Sequence, residues 1–225
     1  MLGIIHSPRI TLTAVAADPR WGPVMALTFV VSLVSSAALL ATDVGQLALV
    51  DQWERAAIAF GQPVDDAQYA AMLDASERGS TVYAAASSLL SGPVLAVGLA
   101  ALLYVVFARG AAGVTYRQVL AVVVYAGVIL AARQVIAAPV NYARETLASP
   151  TTATVLFTML DEASPLARFF GVIDLFVLWW IGVLAVGMSV LTRRPARPLA
   201  ITFVGAYITL ALVLAIVMAV TGGTA

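Results

Sequence analysis

The sequence predicts an all-α fold: an integral membrane bundle of five helices, with short amphipathic helices at the N-terminus and in the outer loops. Three observations predict it. First, 62% of the 225 residues are apolar and 11% charged, with a mean hydropathy of +0.98, whereas a soluble domain carries roughly 25% charged and 45–50% apolar residues. Second, five apolar runs reach the roughly 20 residues needed to cross a bilayer: 23–42, 82–107, 118–139, 169–191 and 199–220. Third, the charges between the runs alternate in sign bias. Arg9, Arg20, Arg109, Arg117, Arg193, Arg194 and Arg197 fall on one side, while Asp43, Asp51, Glu54, Asp65, Asp66, Asp74, Glu77, Glu145, Asp161 and Glu162 fall on the other with Arg55, Arg78, Arg144 and Arg168. The positive-inside rule then places the N-terminus in the cytoplasm and the C-terminus outside. A single domain over 1–225 is expected.

Taken in order, MLGII is too short for the apolar core of a signal peptide, and no processing is expected. Ser7 and Pro8 read as the cap and first turn of a helix that stops before Pro19, and Ile10, Leu12 and Val15 with Arg9 suggest that it lies at the cytoplasmic interface. The acidic outer loop 43–81 carries Leu47, Val50, Trp53, Ala57 and Phe60 at nearly helical spacing as far as Gly61. Beyond Pro63, Asp65 can cap a second helix bearing Tyr69, Met72 and Leu73, so a helical hairpin on the outer surface is predicted. In the second outer loop Ser149-Pro150 reads as a helix start ahead of Leu156, Met159 and Leu160 at helical spacing, and Ser164-Pro165 as the start leading into span 4.

Candidate functional residues are few. The chain has no cysteine, one histidine (His6), and arginine as its sole strongly basic residue type. Disulfides and thiolate metal sites are thereby excluded, and no catalytic, metal or cofactor site is expected. With the high alanine content, the absence of lysine suggests a GC-rich bacterial source. No phosphate loop or nucleic-acid-binding patch is present, so no nucleic acid partner is expected. Two charged residues lie inside spans: Arg133 in the third and Asp174 in the fourth. A charge there costs on the order of 2.5–3.5 kcal/mol. Pro139 marks the outer end of span 3 six residues beyond Arg133, and Asp174 follows Arg168 by six, so both sit ~9 Å below the boundary. An intramembrane ion pair is predicted; snorkelling of Arg133 and a substrate or proton site are the alternatives. Small residues at Ala84, Ser88, Gly92, Ala96 and Ala100, and Gly171, Gly182 and Ala185 on the face of Asp174, predict packing seams. Gly92-Pro93 predicts a kink at Pro93. Trp179 and Trp180 read as mid-span, with at least one of them packed inside.

The segments SPRITLTAVAADPRWGP, GVTYRQVLAVVVYAGVI and SPLARFFGVIDLFVLWWIGVLAVGMSVL, the last with Gly187 beyond its aromatic pair, resemble the YIP (Ypt-interacting protein) domain family across nearly the whole chain. The resemblance implies five spans, an inward N-terminus and no enzymatic activity. Eukaryotic members bind prenylated Rab-type GTPases largely through a long N-terminal region; here 22 residues precede span 1, and Asp174 is followed by Leu-Phe-Val. The chain is more similar to the bacterial members, some of which look like accessory subunits of ABC-type exporters. The expected function is a scaffold or accessory subunit in the bacterial inner membrane, with membrane lipid, a membrane-protein partner such as exporter components, or a second copy as partners. The alternative is a transporter or channel with a polar site around Arg133 and Asp174.

Overall fold

In the computed structural model, residues 3–111, 113–153, 170, 171 and 173–222 are described. They form α1 (Gly3–His6), α2 (Pro8–Ala17), α3 (Gly22–Leu40), α4 (Asp43–Ala59), α5 (Asp66–Leu89), α6 (Leu95–Leu103), α7 (Tyr116–Ala126), α8 (Val128–Ala143), α9 (Leu175–Thr192) and α10 (Ala196–Gly222). Among these residues there is no strand, only an isolated antiparallel bridge between Thr152 and Asp174. Five helical segments are long and apolar enough to cross a membrane: Gly22–Leu40, Asp66–Ala108, Tyr116–Ala143, Leu175–Thr192 and Ala196–Val217. The protein is thus an all-α, multi-pass membrane protein, as its composition requires. The helix expected around Leu156, Met159 and Leu160, and the helix start expected at Ser164-Pro165 ahead of span 4, lie outside the described residues.

Three segments differ from the sequence reading. The second helix of the outer hairpin does not end before span 2. It runs on as the 43-residue segment Asp66–Ala108, because nothing between Asp74 and Ser88 breaks a helix more strongly than Gly79. Its start matches the expected cap: Asp65 Oδ1 accepts from Gln68 N at 2.7 Å, and Gln68 Oε1 accepts from Asp65 N at 3.2 Å, a reciprocal capping box. Around Pro93 the helix passes through a π turn, Leu90–Val94, and later through a second, Tyr104–Ala108. A π turn absorbs the missing proline N–H without ending the helix. In span 3, Pro139 lies inside α8 rather than at its end. Span 4 starts at Leu175, not 169.

The chain divides into two compact units. The first, Met1–Leu33, Ser87–Gln134 and Phe176–Ala206, has a continuous apolar core built on α7, whose Val119–Val124 are all buried. Leu12 of α2, Leu103 of α6, and Leu184 and Met188 of α9 complete it. The N-terminal helix contributes to this core: Leu12 and Val15 are buried, while Ile10 is 75% exposed. Gln118 makes the join. Its Oε1 accepts from Thr115 N at 2.9 Å, closing the cap of α7, and its Nε2 donates to the Ala16 carbonyl at 2.9 Å, at the end of α2. One side chain thus satisfies orphan groups at two helix ends.

The second unit comprises Val34–Ala86, Val135–Leu175 and Tyr207–Ala225. Here the corner between α3 and α4 is held by Thr42, whose Oγ1 donates to the Leu39 carbonyl at 2.7 Å and accepts from Gly45 N at 3.0 Å. A Cβ at Gly45 would collide with that same carbonyl, so only glycine fits the turn. This corner sets the roll of α4. Val50 faces inward with Ala48 and Leu49, but Leu47 and Phe60 of the expected stripe are exposed. Trp53 meets Tyr83 edge to face at 5.7 Å.

Candidate functional site

Asp174 is the only buried charged side chain among the described residues, 3% exposed. It does not lie within the span helix as the sequence suggested: it is the residue immediately before α9. Its backbone is held in the second unit by an extended pairing with residues 151–153. Ala153 N donates to the Ile173 carbonyl at 2.7 Å and Leu175 N to the Thr151 carbonyl at 3.0 Å. That pairing is why the helix starts late, since it draws 173–175 into an extended strand-like turn. At a membrane boundary such irregular backbone is tolerated only when its polar groups are satisfied by protein in this way.

The carboxylate is clasped by two hydroxyls. Ser149 Oγ donates to Asp174 Oδ2 at 2.8 Å and Thr151 Oγ1 donates to the same oxygen at 2.7 Å. Asp174 N in turn donates to Tyr207 Oη of α10 at 3.0 Å. Ser149, expected as a helix cap, directs its hydroxyl to this carboxylate 25 residues further along the chain. Charge-assisted bonds of this length are the strong ones, about 1.5–3 kcal/mol each in soluble proteins. Chemically the arrangement stabilises an acceptor. Both hydroxyl protons are directed at the carboxylate. The described residues contain no group of three or more His, Cys, Asp or Glu that could hold a metal ion.

Arg133 is half-buried in α8. Helix α8 continues through Pro139 to Ala143, and Asp174 immediately precedes α9. Ala84, Ser88 and Ala100 are buried and Ala96 is half-buried. A Cβ at Gly92 or Gly182 would meet no atom within 4 Å, and Gly171 is exposed. Gly187 is a site of close approach, since a Cβ there would collide with Val122 Cγ1 and lie 3.3 Å from Leu12 Cδ1. Trp180 packs against the first unit's core and Trp179 is 40% exposed. With α9 starting at Leu175 both occupy its second turn, the level at which interfacial tryptophans occur.

A helical, multi-pass membrane chain with a closed polar clasp at the start of its fourth span is the class of protein these features define. The family model of the Yip1 domain matches residues 2–218. The chain belongs to the Yip1 domain family. No curated protein and no solved structure matches it.

Proposed function

We propose that the protein is a non-enzymatic scaffold or accessory subunit of a larger membrane assembly in a bacterial inner membrane, with its N-terminus cytoplasmic and its C-terminus outside. The observation that carries this reading is the Asp174 clasp. The buried carboxylate is bonded to two hydroxyls and its backbone is locked into a bridge, so its charge serves to hold the start of α9. Lateral surface supports the same reading. Span helix α10 exposes Ile201, Leu210, Leu212, Val213 and Ile216, an apolar face suited to lipid, to a membrane-protein partner such as exporter components, or to a second copy. The transporter alternative would place a polar path at Arg133 and Asp174.

Affinity purification of the tagged protein from cross-linked native membranes tests the proposal. A stoichiometric membrane-protein partner, or a defined homo-oligomer, is the expected result. The purified chain moving an ion or solute across liposomes by itself, with loss of flux in Asp174→Asn, would replace the scaffold by the transporter.

A further inference from the structure

On the arginine-rich side of the first unit a cavity of about 550 Å³ opens where two span helices begin. It is lined by Pro19, Arg20, Trp21, Gly22 and Pro23 at the entry to α3, and by Tyr116, Arg117 and Leu120 of α7. Two arginines therefore line one concavity. Arg117 makes no hydrogen bond or ion pair among the described residues, and Arg20 is held by Nε alone, 2.7 Å from Asp18 Oδ2. Asp18, whose carboxylate is 61% exposed, is the one acidic side chain paired at the rim. The aromatic walls are fixed. Tyr116 Oη donates to the Val97 carbonyl at 3.1 Å, its ring meets Tyr104 edge to face at 6.1 Å, and Trp21 packs against the core. The cavity is thus a mostly apolar recess with two arginines in its lining, and the first turns of α3 and α7 add partial positive charge to it.

We propose that this cavity binds the phosphate of an anionic phospholipid, with Arg20 and Arg117 as the ligands. The shared chemistry is a phosphate ester, which guanidinium groups bind through paired N–H donors. A lipid is favoured over a soluble phosphate by position. The recess lies where the apolar runs of α3 and α7 begin, and Leu120 and Pro23 of those runs are part of its lining. Trp21 and Tyr116 supply the amphipathic rings found at headgroup level. Acyl chains descending from a headgroup held there would run along the spans, a site no water-soluble anion would exploit.

The test uses the full-length protein, delipidated in detergent and titrated with phosphatidylglycerol or phosphatidylcholine, with lipid adducts counted by native mass spectrometry. Phosphatidylglycerol should bind with a roughly tenfold preference that disappears in Arg20→Gln/Arg117→Gln. Arg109→Gln, which removes an arginine from the same side but outside the cavity, should keep it. All of these residues are exposed, and unfolding in the absence of lipid should be unchanged in the variants, separating lost binding from lost structure. Equal phosphatidylglycerol binding by the double variant would overturn the site. Displacement of the lipid by equimolar inorganic phosphate would overturn the lipid assignment.

Discussion

Gln118 shows how one side chain ties the sequence motif to the fold. Its amide oxygen completes the cap of span 3 while its amide nitrogen holds the end of α2, so a change that keeps one function and removes the other is available. Gln118→Glu retains the acceptor for Thr115 N but sets a carboxylate against the Ala16 carbonyl. Amide exchange should then rise in α2 and stay unchanged in the first turn of α7; equal exchange in both, or in neither, would contradict the dual role. Residue-level legibility was uneven. Asp174 could be singled out because a carboxylate in an apolar run is costly wherever it sits. Its partners could not, since Ser149 and Thr151 lie more than 20 residues away and their Ser-Pro setting points equally to a local cap. Tyr207, a hydroxyl within an apolar run, was the one partner with a signal of its own.

For the elements, apolarity over about 20 residues is a local property, and it placed all five crossings. Their ends depend on tertiary partners. Helix α9 starts late because 173–175 pair with 151–153, α8 runs past Pro139, and α5 merges with span 2 for lack of a breaker. The small-residue pattern indicated close packing but not at which glycine, because helix roll decides which one meets a neighbour. Gly187 can be tested directly. Gly187→Ala should destabilise the protein by about 1–3 kcal/mol, as overpacked cores do, with most of the loss returned by adding Val122→Ala. Urea unfolding in detergent reads both. A Gly187→Ala protein of unchanged stability would show that α9 and α7 are not in the contact described.

Over the whole molecule, the distribution of arginine predicts a topology that the absence of cysteine makes simple to measure. In intact cells a membrane-impermeant maleimide should label Gln62→Cys, in the turn between α4 and α5, and should reach Gly110→Cys only after permeabilisation. The reverse pattern would invert the proposed orientation. The account as a whole rests on the buried carboxylate being a structural anchor, and global unfolding in nanodiscs reads that claim. Asp174→Ala is predicted to lose about 2 kcal/mol or more, and Ser149→Ala/Thr151→Val about 1 kcal/mol or more. The triple variant should be little worse than Asp174→Ala alone, since the hydroxyls then have no carboxylate left to hold. Losses that simply add, or an Asp174→Ala protein as stable as its parent, would contradict the anchor.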